Sequence, residues 1–361
     1  MNRINIHLTH NKKASLYVTI KMKMKFTLLA VLYFIATSCI AQQRPHYTQY
    51  VSNSYIINPA VAGIENYTDV KISHRNQWLG LEGAPVTTYI TIHGPSKKAA
   101  YGRTSVTGYE ANGENPRGKA YWQEYTKAEP HGGLGFTIIN DRTGPLNRFA
   151  AYGTYAYHLG LTAQTSISAG ISGGFQNMTL NTNKLIFDET IDPAIAGNGY
   201  LNRVSPDINA GIYVYSANYF AGISAQQLVP SKLRWTEDTV KLVGGKLLPH
   251  MFFTAGYKMF LHDDVTILPS VLVKYIHPAP TSVDFNVKVQ YRDLMWLGGS
   301  YRHKDGFAAM LGLNVSNTFN VGYSYDITTT RINTVSRGTH EILLGFLLNN
   351  RYGDWCPRNI W

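Results

Sequence analysis

Apolar and polar residues alternate along most of this chain, from about residue 67 to residue 348. The segment SVDFNVKVQYR is the clearest case. One face takes Val283, Phe285, Val287, Val289 and Tyr291, and the other takes Asp284, Asn286, Lys288, Gln290 and Arg292. Because successive side chains of a strand point to opposite sides, this pattern predicts strands with one apolar and one charged face. No long stretch has helical periodicity.

Fourteen segments carry the alternating pattern, each about as long as the 9–11 residues of a transmembrane strand. An even number of antiparallel strands is typical of bacterial outer-membrane barrels, and the many tyrosines suit their aromatic girdles. The fold class predicted is therefore all-β, a transmembrane antiparallel up-and-down β-barrel of about 14 strands over residues 67–348. A soluble exported β-sandwich is the alternative. The candidate strands lie near 67–77, 84–94, 133–141, 147–160, 165–177, 206–216, 218–227, 249–261, 264–276, 282–292, 295–303, 306–315, 318–327 and 338–348.

The connections predict which way the barrel faces. With both termini in the periplasm, the even-numbered connections are mostly short, as in Ser216–Asn218 and His262–Asp264. The odd-numbered ones include the long segments 178–205, 228–248 and 328–337. Short periplasmic turns and longer outer loops are the usual asymmetry of such barrels. Residues 95–132 break the rule, and they are either an insertion or a missed hairpin.

The first 41 residues have the pattern of an export leader. Lys21, Lys23 and Lys25 precede a short apolar run and a small-residue end at Ala41, which predicts a secretory signal peptide. Met22 or Met24 is an alternative start. A second interpretation takes Cys39 as a lipidated residue. The leader holds six of the 33 basic residues and no acidic residue, so the net charge falls from +11 to +5 in the mature chain.

Little in the mature sequence suggests catalysis. The mild charge does not suggest nucleic-acid binding. Cys356, alone after cleavage, allows neither an internal disulfide nor a CxxC site. Gly170–Gly174 matches a nucleophile-elbow pattern but lies within an alternating strand. The sequence predicts no enzyme activity, no cofactor and no metal.

Charged residues of both signs recur on the polar faces. Because charge facing lipid is costly at mid-depth, we expect them in the lumen. They predict either a salt-bridged filling or a surface for a polar partner. The predicted lumen-facing charges are Lys71, Arg75, Lys258, Asp284, Lys288, Arg292, Asp326 and Glu341.

The segment YTQYVSNSYIINPAVAG opens the mature chain. Pro59 disfavours helix at Asn58, and Gly63 permits a turn. Backbone groups ahead of the first strand must be satisfied inside the barrel or in water. We therefore predict that residues 42–66 form a small plug in the periplasmic mouth, with Asn58, Pro59 and Gly63 setting its shape. A disordered lead-in is the alternative. Residues 349–361 are predicted to be a periplasmic tail.

Four ordered motifs carry a family resemblance: the opening segment, HRNQWLGLEGAPVTTYITIHGP at 74–95, GLGFTIINDRTGPLN at 133–147 and VGYSYDITTT with RGTHEILLGF within 321–346. Together they resemble the PorP/SprF family of Bacteroidetes outer-membrane proteins, which serve type IX secretion and often gliding motility. The Asn-Pro-Ala segment is also similar to that of FadL-type barrels, where it belongs to a plug.

The resemblance implies a Gram-negative, Bacteroidetes outer membrane as the location. The implied partners are outer-membrane lipid, translocon or motility subunits, and a secreted cargo protein, such as an adhesin, with a C-terminal sorting domain. Candidate partner contacts in the outer loops are Arg234, Trp235 and Arg331, since arginine and aromatic residues are favoured at interface anchors. A channel or hydrophobic-substrate transporter and a structural anchor for periplasmic motility parts are the alternatives.

Overall fold

The computed structural model describes residues 47–96, 125, 127, 129–184, 199–230, 232–233, 245–277, 279–316 and 318–350. These described residues fold mainly into β-strands. Their bounds are β1 Thr68–Asn76, β2 Val86–Pro95, β3 His131–Thr143, β4 Leu146–Gly160, β5 Ser166–Asn181, β6 Tyr200–Tyr215, β7 Tyr219–Gln226, β8 Lys232–Leu233, β9 Gly245–Lys246, β10 His250–Tyr257, β11 Met259–His262, β12 Val265–Tyr275, β13 Ser282–Tyr291, β14 Met295–Arg302, β15 Gly306–Asn314, β16 Phe319–Thr328 and β17 Thr339–Leu348.

These strands close into an antiparallel barrel. Neighbours in sequence are neighbours in the wall, β1 pairs with β17, and β10 pairs with both β7 and β12. Strands β10 and β11 are two pieces of one wall position, interrupted at Lys258. The wall therefore has fourteen strand positions, which confirms the predicted fold class. Strands β8 and β9 form a separate two-stranded sheet in the connection after β7.

The two ends of the barrel differ in their connections. At one end, called here the turn end, β1 begins and β17 finishes, and the connections 161–165, 216–218, 263–264, 292–294 and 315–318 are short. At the opposite end, called here the loop end, lie the longer connections 182–199, 227–249 and 329–338. The sequence assigns the turn end to the periplasm. Strand β2 pairs directly with β3, so residues 96–130 add no strand to the wall between them.

Apolar side chains face outward from most strands. On β13, for example, Phe285 is 54% exposed while its neighbour Asp284 is fully buried. The same alternation continues around the wall, with Leu134, Ile171 and Leu297 among the exposed apolar residues. This face is what a lipid-embedded barrel requires. Within the described residues, the helices are too short and too polar to cross a bilayer.

The interior of the barrel is packed. Two clusters of buried apolar residues fill it, and both combine side chains of the wall with side chains from residues 47–66. In the first cluster Tyr50, Val51 and Ile57 pack with wall residues such as Tyr89 and Leu272. In the second, Ala60 and Val61 pack with wall residues that include Tyr213 and Phe220. The N-terminal segment therefore supplies nine of the 22 buried residues in these two clusters.

Candidate functional site: the lumenal plug

Residues 47–66, called here the plug, run through the lumen from one end of the barrel towards the other. Three short 3-10 turns, Thr48–Val51, Ser54–Ile56 and Pro59–Val61, give the segment its compact course. Thr48 bonds to side chains within three residues of the loop ends of β1, β14, β16 and β17. Gly63 lies beside His93 and His131, at the turn ends of β2 and β3. The plug therefore reaches much further than the mouth where residues 42–66 were predicted to sit.

A charged cluster holds the start of the plug. Thr48 Oγ1 donates to Asp326 Oδ2 at 2.7 Å, and its backbone N–H donates to Glu341 Oε2 at 2.8 Å. The same hydroxyl accepts bonds from Arg75 and Arg302, at 2.7 and 2.6 Å. Since every one of these side chains is buried, this hydroxyl is anchored by charge-assisted bonds in a low-dielectric interior.

The cluster also ties four wall strands to one another. The guanidinium of Arg75 on β1 pairs with Asp326 on β16 at 2.7 Å and with Glu341 on β17 at 3.1 Å. Arg302 on β14 pairs with Asp326 at 3.0 Å. Removing one partner of such a buried group leaves the others unpaired, which is costly. The charges thus fix the plug and the wall together.

Neutral hydrogen bonds hold the middle of the plug. Asn53 Nδ2 donates to Thr91 Oγ1 at 2.9 Å, and the Tyr55 hydroxyl donates to Thr154 Oγ1 at 2.7 Å. The amide of Asn286 donates to the Tyr50 hydroxyl. These contacts reach strands on opposite sides of the lumen.

Glycines of the wall make room for the second half of the plug. A Cβ at Gly170 would lie 2.6 Å from backbone atoms of Pro59 and Ala60. A Cβ at Gly133 would overlap the Ala62 carbonyl, and one at Gly211 would overlap the side chain of Asn58. Gly63 itself has a φ of +80° and lies against Gly133. The plug backbone therefore touches the wall backbone directly.

Asn58 connects two wall strands to the plug. Its Oδ1 accepts the Ala60 backbone N–H at 3.0 Å, which caps the turn that begins at Pro59. Its Nδ2 donates to the carbonyl oxygens of Ile212 on β6 and Ile223 on β7, at 3.1 and 3.4 Å. The β6–β7 junction is short, with six residue pairs in register from Ala210 to Tyr215. Asn58 therefore bridges the plug to a short junction of the wall.

Two histidines receive the end of the plug. A ring nitrogen of His158 bonds the Ala62 carbonyl at 2.8 Å, and one of His131 bonds the Gly63 carbonyl at 3.1 Å. Their rings stack with centroids 4.5 Å apart and an interplanar angle of 5°. The carbonyls at the end of the plug are thus satisfied before the chain enters β1.

Six of the predicted lumen-facing charges lie buried on the inner face of the wall. They are Lys71, Arg75, Asp284, Lys288, Asp326 and Glu341. Lys71 pairs with Asp69 at 2.6 Å, and Asp284 pairs with Lys274 at 2.9 Å. The ammonium of Lys288 lies 4.9 Å from the ring centroid of Trp296. All of them face another side chain at close range.

The other two predicted charges lie elsewhere. Arg292 occupies the turn after β13 with a φ of +49°, where it pairs with Asp264 at 3.3 Å. Both side chains are about a third exposed, so this pair belongs to the turn end and not to the lumen. The period-two pattern placed Arg292 inward because it extended the strand one residue too far. Lys258 lies at the break between β10 and β11 and is half-buried.

One of the three candidate partner contacts, Arg331, lies at the loop end. Arg331 is exposed in the connection between β16 and β17. Arg234 and Trp235 lie outside the described residues. The structure adds Arg302, Lys274 and the histidines His93, His131 and His158 to the residues that face the plug or its charges. The sequence pattern could have identified Arg302 as a lumen-facing charge. The preceding Tyr301 continues the outward apolar face of β14, so the alternation places Arg302 on the inner face.

Two cavities beside the plug, both lined by described residues, are small. A cavity of about 60 Å³ at the turn end is lined by residues that include Ser52, Asp69 and Lys288. Another of about 20 Å³ lies between Tyr55, Tyr152 and Gln226. One water needs about 10–15 Å³ of such volume, so these two cavities have room for a few waters.

A family model described as type IX secretion system membrane protein PorP/SprF matches residues 39–346. The match includes the plug and all fourteen strand positions. The chain belongs to this family. PorP/SprF proteins are membrane components of type IX secretion, and with the lipid-facing wall this places the chain in the outer membrane of a Gram-negative bacterium. No curated protein sequence matches it.

Solved outer-membrane barrels share the architecture of this PorP/SprF protein. The toluene transporter TbuX of Ralstonia pickettii has a TM-score of 0.45 at 9% identity, over 82% of this chain and 93% of its own. Omp33 of Acinetobacter baumannii has a TM-score of 0.42 at 8% identity, over 79% of this chain and 100% of its own. The CymD monoaromatic hydrocarbon channel has a TM-score of 0.43 at 11% identity, over 86% of this chain and 96% of its own. At these values the likeness extends to no ligand and no role.

Proposed function

We propose that this barrel binds the C-terminal domain of secreted cargo proteins, such as adhesins, and supports their export or attachment at the cell surface. The observation that carries the proposal is a filled lumen in a member of a secretion family. Wall strands β1 to β7, β13, β14, β16 and β17 each bond to the plug. A protein built this way works through its rims, where a partner can bind.

The packed interior also weighs against a diffusion channel. The plug is buried along almost its whole length, and the charges beside it are paired across the lumen. Opening a pore would separate buried ion pairs and expose the apolar clusters to water, and both are costly. A hydrophobic substrate would meet the same obstacle, because the two cavities described beside the plug have room for only a few waters.

The loop end offers the surface for cargo. Long connections follow β5, β7 and β16 there, and Arg331 is exposed on the last of them. Arg234 and Trp235 belong to the connection after β7. An aromatic residue flanked by arginine is the composition that dominates binding energy at protein interfaces. We therefore assign cargo contact to these loops, and contact with translocon or motility subunits to the turn end.

The test compares cargo binding by the tagged barrel and by a loop-end variant in native outer membranes. The variant carries Arg234→Ala, Trp235→Ala and Arg331→Ala, and the matched control carries Arg292→Ala at the turn end. After gentle solubilisation, mass spectrometry should find a large secreted protein with a C-terminal sorting domain on the wild type and on the control. The loop-end variant should retain at least tenfold less of it. A wild-type barrel that brings no such protein would overturn the proposal, and conductance in planar bilayers would then test the channel.

A further inference from the structure

At the loop end of the barrel, β6 extends further than its neighbour β7. Strand β6 has 16 residues and pairs with β5 along its full length, from Tyr200 to Tyr215. On its other side β7 has eight residues and pairs only with Ala210–Tyr215. Among the described residues, no strand pairs with residues 200–207 on the side away from β5. Among the residues that the structure describes, the loop-end half of β6 is therefore a sheet edge with no strand beside it.

The backbone groups on this edge can be identified. The Leu228 N–H, which follows β7, donates to the Ile208 carbonyl at 3.0 Å, so Ile208 points its backbone towards the open side. Backbone direction alternates along a strand, so the backbones of Asn202, Val204 and Pro206 face the same way. Pro206 has no N–H to offer, and an open edge is where a strand tolerates proline. Donors at Asn202 and Val204, and carbonyls at all three residues, face outward from the sheet.

The same edge stands beyond the membrane. A transmembrane strand needs about 9–11 residues, and β6 has 16. Because β6 is level with its neighbours at the turn end, its extra residues project beyond the membrane at the loop end. Its side chains there are nevertheless apolar and uncovered, with Tyr200 59% and Val204 66% exposed. Exposed backbone groups flanked by exposed apolar side chains form a site that an extended peptide covers well.

We propose that the open edge of β6 binds an extended segment of the exported cargo as an added antiparallel strand. This inference rests on the proposed function and names the surface that performs it. The occupant must be a strand, since period-two donors and acceptors are matched only by another extended backbone. Pro206 limits the added strand to a register that needs no donor at that position.

A second copy of the chain cannot take this place. Two barrels in one membrane point the same way, so their β6 strands run parallel. Joining two identical edges as an antiparallel pair needs a two-fold axis in the plane of the membrane, and this axis would invert one barrel. The partner must therefore reach the edge from outside the membrane, as an exported chain does.

The decisive variant is Val204→Pro, which removes an edge donor and leaves the β5 ladder intact. The chain already carries a proline at the matching position two residues later. Val204→Ala is the control, because it shortens the side chain and keeps the N–H. In native outer membranes we expect Val204→Pro to retain at least fivefold less cargo than wild type, and Val204→Ala to stay within twofold of it. Heat-modifiable migration on gels verifies folding of each barrel.

Hydrogen exchange gives an independent readout on the purified complex. In the barrel without cargo, the amides of Asn202 and Val204 should exchange quickly, and cargo should slow them at least tenfold. A peptide over residues 136–142 of β3, paired on both sides, is the internal reference. If cargo is held equally by wild type and Val204→Pro, or these amides stay unprotected, the edge proposal is wrong while the proposed function stands. If the wild type holds no cargo, both are wrong.

Discussion

The two halves of the plug are held in different ways. The first half, around Thr48, is held by long charged side chains that reach in from β1, β14, β16 and β17. The second half, from Tyr55 to Gly63, lies directly on the wall backbone over glycines such as Gly170 and Gly133. Charge therefore fixes the loop end of the plug, whereas close backbone contact and neutral hydrogen bonds fix the turn end.

This difference predicts which changes each half tolerates. A charged cluster fails when one partner is removed, because the remaining charges are buried without compensation. A close backbone contact fails when volume is added, because neither backbone can move away easily. A partner that releases the plug would therefore have to break ion pairs at one end, and neutral hydrogen bonds and close backbone contacts at the other.

Removing Arg75 should have the largest effect. Arg75→Met deprives Asp326 and Glu341 of the guanidinium that joins them, so we expect a loss of about 3–5 kcal/mol in the free energy of unfolding. Urea titration in lipid vesicles, followed by tryptophan fluorescence, measures it.

The matched control for this change is Arg292→Met. That arginine also pairs with an aspartate, but both partners are about a third exposed in a turn, so the expected cost is at most about 1 kcal/mol. Equal losses in the two variants would mean that the lumenal cluster does not stabilise the barrel.

A methyl group at Gly170 should displace the second half of the plug. Gly170→Ala forces its Cβ against the backbone of Pro59 and Ala60, and overpacking of this kind costs about 1–3 kcal/mol. We expect chymotrypsin to cleave at Tyr55 faster than in the wild type. Gly173→Ala on the same strand is the control, since its Cβ meets nothing within 4 Å. Unchanged protection in Gly170→Ala would show that shape does not hold this half.

The wall of the barrel was predictable because each strand must separate lipid from lumen. This requirement produces a period of two in segments as different as SVDFNVKVQYR and THEILLGFLL. The alternation predicts an inward direction for Asp284 and Glu341, and both side chains are buried. The ends of strands carry no such signal. For that reason the predicted strand was extended by one residue to Arg292, whereas the chain turns there with a positive φ.

The depth of the plug was not predictable from its own residues. Its tyrosines and its Asn-Pro-Ala turn indicate burial, but the contacts that set its path come from strands up to 293 residues away in sequence. On the wall side, the path of the plug depends on glycines such as Gly133 and Gly211, which leave room for it. A glycine within a strand allows a bend, a bulge or a close approach, and only the fold distinguishes these.

The smallest expected effect is the most specific, at Asn58, where the second half of the plug contacts the β6–β7 junction. Asn58→Ala removes both the cap to Ala60 and the donor to Ile212 and Ile223, and it should cost about 1–2 kcal/mol. Asn58→Asp keeps the acceptor that caps the turn and loses the donor. Hydrogen exchange of residues 210–215 should therefore become faster in both variants. If exchange in Asn58→Asp equals that of the wild type, only the cap to Ala60 matters and the bonds to Ile212 and Ile223 do not.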